Sequence, residues 1–171
     1  MAKKIVLPLL GELAKRESAP APPKKPSIDA ARARLGGRAK DAGPASLPPG
    51  TIVRVKDSDA IGVVVFASAR DAHVLLGGSR LRRLGAEDVE AVGAGGEAAA
   101  GDALTAVAAD ARVFWLLAEG QSVRYADAAG DLRDGKLVEK CRYGALVLRD
   151  DGAIVAVGFR KLWPAAATGD A

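Results

Sequence analysis

At 171 residues, 49% hydrophobic and 27% charged, the chain has room for one domain or two small ones and is too apolar for a disordered protein. Its one cysteine, Cys141, excludes an internal disulfide, and no apolar run approaches the ~18 residues of a membrane span. The net charge of +4 is uneven: residues 1–49 carry ten Lys and Arg against four Asp and Glu, residues 50–119 seven against ten, and residues 120–171 eight against seven.

The first sixteen residues have the basic head of a signal peptide. Their apolar run is short, contains Pro8, and is followed by Glu12, Lys15 and Arg16, with no small-residue cleavage site. A cytoplasmic protein is expected. Within residues 1–18, Ile5, Val6, Leu7, Leu9, Leu10 and Leu13 form an apolar motif, helical or extended. It reads as a tether to a larger protein assembly, or as an arm packed on the chain's own domains. Residues 19–26, APAPPKKP, make a semi-rigid spacer. Residues 27–40 form a weak basic helix, with Ser27 as N-cap, Asp29 in the first turn and Gly36-Gly37 as its end. Residues 41–49 are a second linker, so residues 1–49 read as a flexible basic tail.

Residues 50–92 form a first β unit, with strands expected at 51–55, 61–66, 73–76 and 80–84. A helical turn at 86–89 and a short strand at 91–92 complete it. Turn chemistry separates them: Asp57-Ser58-Asp59, Ala69-Arg70-Asp71 and Gly77-Gly78-Ser79. Residues 93–101 read as a flexible joint. Residues 102–118 form a helix capped by Asp102 and ended by Gly120, apolar nearly all round at Phe114, Trp115, Leu116 and Leu117, and therefore expected to be covered. Residues 120–164 form a second β unit, with strands at 120–125, 136–141, 145–148 and 154–157, and a turn at 158–162. Its loop at 127–134 is three residues longer than the counterpart. Residues 165–171 are a small-residue tail.

The two units are copies. A shift of 73 positions lays Gly62 on Gly135, Val65 on Val138, Ala72 on Ala145, Val74 on Val147, Leu75 on Leu148 and Gly85 on Gly158. A shift of 70 lays residues 50–55, GTIVRV, on residues 120–125, GQSVRY. This pattern of a Gly-initiated strand, a hairpin and a one-turn helix before the last strand resembles the SH3-like small barrel shared by KOW, Tudor and bacterial SH3 modules. The resemblance implies a mostly β protein with one or two helices: two SH3-like barrels joined by a helix. Gly62 and Gly135 sit near the glycine of a KOW loop without its full motif. A Tudor barrel implies an aromatic cage, for which Tyr125, Tyr143, Phe159 and Trp163 are the available rings; otherwise these rings fill the core.

Catalytic chemistry finds little to build on. His73 is the only histidine, facing Leu146 of the other copy, and reads as a half-exposed strand position. Cys141 lies between Lys140 and Arg142, cations that can lower a thiol pKa, but no base motif accompanies it, and it reads as a small semi-buried strand residue. One His and one Cys make no zinc site in a monomer, and residues 93–96 lack the context and lysine of a phosphate loop. No enzyme, cofactor or metal is expected. The expected function is a protein-interaction adaptor or accessory subunit held by residues 1–18. The alternative is a nucleic-acid module using the basic tail and a face of the second copy. Lys136, Lys140 and Arg142 would share one side of its sheet, joined by Arg149, Arg160 and Lys161. The binding residues are therefore Tyr125, Lys136, Lys140, Arg142, Tyr143, Phe159, Arg160, Lys161 and Trp163.

Overall fold

The computed structural model describes residues 27–39 and 47–166. The apolar motif of residues 5–13, the proline spacer and the last residues of the tail lie outside it. The β-rich sequence folds as two five-stranded antiparallel sheets. The first holds β1 (Ile52–Val55), β2 (Ile61–Ala67), β3 (Asp71–Leu76), β4 (Arg80–Gly85) and β5 (Val89–Ala91), in the order β4-β3-β2-β1-β5. The second holds β6 (Ser122–Ala126), β7 (Leu132–Cys141), β8 (Gly144–Leu148), β9 (Ile154–Gly158) and β10 (Leu162–Pro164), in the equivalent order β9-β8-β7-β6-β10. Neither sheet closes on itself, unlike the closed barrels expected. The last strand of each copy is three residues long and pairs only with the first strand.

The matching positions occupy matching places. Val64 pairs with Val74 and Leu137 with Val147; one residue later each strand bulges, at Val65 and at Val138. Gly50 and Gly120 both have φ near +85° (+87° and +85°), and their N–H groups donate to Val64 and Leu137 at 2.7 Å. At Gly62 a Cβ would lie 2.5 Å from Val74 Cγ1, and at Gly135 2.6 Å from Val147 Cγ1. Only glycine fits where the crossing strand comes this near. Gly85 and Gly158 each lead into a 3-10 turn, Ala86–Asp88 and Phe159–Lys161. β7 begins at Leu132, so the longer loop of the second copy is taken up by a ten-residue strand.

Each sheet has an inner and an outer face. Val53, Val55, Val64, Ala72, Val74 and Val89 fill the inner face of the first sheet. Its outer face, Ile52, Val63 and Val65, packs on Leu104, Val107 and Ala108 of α2 (Gly96–Leu116). The end of that helix crosses to the second sheet, where Phe114 and Leu117 join Val123, Tyr125, Leu137, Val147, Val157 and Leu162. Residues 96–100, expected as part of a flexible joint, are helical and broken from the rest at Gly101 (φ 73°, ψ 171°). The helix end is not covered all round: Leu116 is 82% exposed and Trp115 37%. No helix among the described residues is long and apolar enough to cross a membrane.

α1 (Ile28–Arg34) forms as its sequence predicts, with the Ser27 hydroxyl accepting from Ala30 N–H at 3.2 Å. It does not hang in a tail. Ala31 and Leu35 pack on Cys141 and Leu146, on the outer face of the second sheet. The expected tail thus has a fixed segment, because two apolar residues and two arginines find a face that matches them.

Candidate functional site

β6, the turn after it, β9 and the 3-10 turn Phe159–Lys161 enclose a groove of about 900 Å³ on the second sheet. Tyr125, Tyr143, Val155 and Phe159 give it apolar walls, and Asp127, Arg149, Arg160 and Lys161 carry charge to it. Tyr125 is placed by its pairing with Leu162 and Arg133 and is buried in the core, so one edge of the core is the groove floor. Gly135 makes room beside it: a Cβ there would lie 3.4 Å from Tyr125 Cε1.

The groove edges are held by specific bonds. Asp127 accepts from the N–H groups of Ala129 (2.9 Å) and Asp131 (3.0 Å) and from Arg133 Nε (3.1 Å), which fixes the β6–β7 turn. Burial works against its charge, but these donors outweigh it and hold the carboxyl below the usual carboxylate range. Phe159 N–H donates to the Tyr143 carbonyl at 3.0 Å, and its ring lies 6.3 Å from that of Phe114. Arg149 pairs with Asp151 at 2.9 Å and Arg160 with Asp110 at 3.2 Å. Lys161 makes no ion pair among the described residues.

Tyr143 also joins the two sheets. Its hydroxyl lies 2.5 Å from Nδ1 of His73 on β3, and the Phe66 ring meets His73 edge-on. Arg142, beside it in the β7–β8 turn, lies over the Phe66 ring, 5.4 Å from its centroid. His73 is 5% exposed, which corrects the half-exposed strand position expected for it. The joint buries it. Burial, with Arg142 and Arg83 nearby, lowers its pKa and favours the neutral ring.

Five of the nine expected binding residues line the groove: Tyr125, Tyr143, Phe159, Arg160 and Lys161. The others lie elsewhere. Trp163 is half-buried on β10 opposite Arg124, so the four rings do not form one cage. Lys136 and Lys140 are on opposite faces, because the bulge at Val138 reverses the alternation of β7. Lys136 is exposed on the outer face. Lys140 points inward, and its ammonium donates to the carbonyls of Trp115 (2.7 Å) and Leu117 (2.8 Å) at the end of α2. It also lies over the Phe114 and Trp115 rings, at 5.2 and 4.9 Å. This lysine is a helix cap, with its pKa lowered by burial. No protein-family model matches the chain, and no curated protein matches it. Among the described residues no three His, Cys, Asp or Glu side chains gather as metal ligands.

Sequence reasoning missed one polar centre. Glu139, 7% exposed on the outer face of β7, accepts from Arg32 Nε (2.6 Å) and Nη2 (3.1 Å) and from Arg38 Nη2 (3.1 Å). The hydrogen bond from Arg32 is the main reason its carboxyl is held below the usual range. More than a hundred positions separate the partners, so no local pattern could have shown this. Cys141 sits beside it in the apolar contact. The small semi-buried position expected for it is here fully buried, and its thiol is pushed up to about 11, first by burial and then by the Glu139 charge, against the lowering that flanking cations could give.

Proposed function

We propose that this chain is a non-enzymatic protein-interaction module, an adaptor or accessory subunit that takes a partner segment in the groove of the second sheet. Residues 1–18 serve as its tether to a larger, cytoplasmic assembly. The observation that supports this is that Tyr125, Tyr143, Phe159, Arg160 and Lys161 all line that one groove. Apolar walls with Arg149, Arg160 and Lys161 against the single carboxylate of Asp127 suit a peptide bearing an apolar anchor and an acidic residue. The equal strand orders, the bulges at Val65 and Val138 and the 3-10 turn before each last strand support reading both copies as SH3-like units, in open form.

The nucleic-acid reading draws less support. Lys140 caps α2, Arg142 covers Phe66, Arg160 faces Asp110 and Lys136 is on the other side of the sheet, so these cations share no face. A pull-down with the full chain, with residues 1–26 deleted, and with Arg149→Glu/Lys161→Glu tests the proposal. Deletion should abolish recovery of the assembly, and the double reversal should weaken a direct partner about tenfold. Equal recovery by all three refutes it. Nuclease-sensitive recovery that falls steeply with salt favours the alternative.

A further inference from the structure

The segment of residues 27–39 precedes the first sheet in the chain but docks on the second. Seven residues, 40–46, connect its end to Leu47. Its apolar contact is small, Ala31 and Leu35 against Cys141 and Leu146, and the two surfaces are cut to each other. A Cβ on Gly36 would lie 2.5 Å from Tyr143 Cε2, and a Cβ on Gly144 2.9 Å from Leu35 Cδ2. Beyond the helix the chain lies beside the end of β7. Ala39 N–H donates to the Lys140 carbonyl, Arg142 N–H to that of Gly37, and Tyr143 N–H to that of Leu35. On this edge of β7 the backbone of Gln121 and Gly120 reaches as far as Leu137, and the Lys140 N–H donates to Glu119 Oε1 at 3.1 Å, so residues 35–39 bond only to the last residues of the strand and the turn after it. The segment thus makes a short antiparallel bridge, Arg38 opposite Cys141, at the end of that edge.

The ionic part is demanding. Glu139 is nearly buried, and both of its oxygens accept from Arg32 and Arg38. Without the segment this carboxylate would lose both guanidiniums, so any occupant must bring cations at this spacing. A second copy of the chain brings the same residues. We propose that this face of the second sheet is an exchange site for residues 27–39 of a second copy, so that two molecules trade segments and form a closed dimer. The exchange remakes the contacts that residues 27–39 make with the second sheet in the closed monomer.

Charge reversal on the two sides tests it in the full chain. Arg32→Glu/Arg38→Glu makes a segment that Glu139 repels, and Glu139→Lys makes a face that repels the native segment. Each variant alone should be a monomer with an open face. Mixed at about 100 µM, each face finds a matching segment on the other molecule. Light scattering should then give twice the 17.5 kDa of one chain. Cys141, under Ala31 and Leu35, is the built-in reporter. Its reaction with a disulfide reagent should be fast in each variant and at least tenfold slower in the mixture, and excess free peptide of residues 27–39 should compete the dimer apart. A mixture that stays monomeric overturns the proposal, as does a dimer in which Cys141 stays reactive. If circular dichroism shows either variant unfolded, two differently tagged wild-type chains decide: co-capture after joint incubation at high concentration, competed by the peptide, supports exchange, and its absence overturns it.

Discussion

Gly135→Ala should destabilise the protein although alanine is the smallest possible addition. A Cβ at this position would meet Val147 Cγ1 at 2.6 Å and the Leu148 carbonyl oxygen at 2.8 Å. The valine is fully buried in the core of the second sheet and the carbonyl belongs to the neighbouring strand, so neither yields without moving the β7–β8 pair. Overpacking of this kind costs about 2 kcal/mol, and for a chain of this size each kcal/mol lowers Tm by roughly 2–4 °C. A fall of about 6 °C is expected in a thermal melt followed by circular dichroism. Gly62→Ala should do the same, since its Cβ would meet Val74 Cγ1 at 2.5 Å and the Leu75 carbonyl at 2.9 Å. Gly158→Ala is the control: it has ordinary negative φ (−67°) and no atom within 4 Å, so its melt should be unchanged or slightly raised. Equal melting of all three variants and the wild type would refute the account of the paired glycines.

Three further outcomes follow from the polar contacts. Lys140→Met keeps the aliphatic stem but leaves the Trp115 and Leu117 carbonyls without the ammonium; a loss of about 1–2 kcal/mol in urea unfolding is expected, with Lys140→Arg partly restoring it. The Glu139 pKa is lowered from 4.5, so its stabilisation is complete above about pH 4.5 and is lost as pH falls through the lower folded value; Glu139→Gln should flatten Tm against pH in that range. His73 is a base whose pKa is lowered from 6.5, so the unfolded chain binds the proton more readily and stability falls as pH drops below about 6.5; His73→Phe should remove that limb of the curve while leaving the Glu139 limb in place.

Much of the fold could be read from residue types. Glycines at equal spacing, β-branched runs and the turn residues at 77–79 and 150–152 place the strands nearly where they form, because each acts on its own stretch of backbone. What could not be read depends on packing at a distance. The bulges at Val65 and Val138 insert one residue into each second strand and reverse its faces. That is why Lys140 turns inward to a helix end while Lys136 stays outside. Residues 96–100 look like a glycine- and alanine-rich joint, yet they coil because Gly96 packs close to Val92 and Ala100 joins the apolar contact on the first sheet. The groove was legible through its rings and cations, except for Trp163, which β10 carries away from it. The Glu139 centre was not, since Arg32 and Arg38 look in sequence like ordinary cations of a solvated helix.

α2 follows the first sheet yet covers that sheet's outer face, and α1 precedes the first sheet yet covers the second. Divide the chain at the exposed residues 93–95, and each half holds a sheet together with the helix that shields the other. Two such pieces, made separately, should each stay poorly ordered and should regain the native circular dichroism when combined, as a split protein does. Each half thus closes an outer face of the other, while Phe114 and Leu117 of α2 also fill the core of the second sheet.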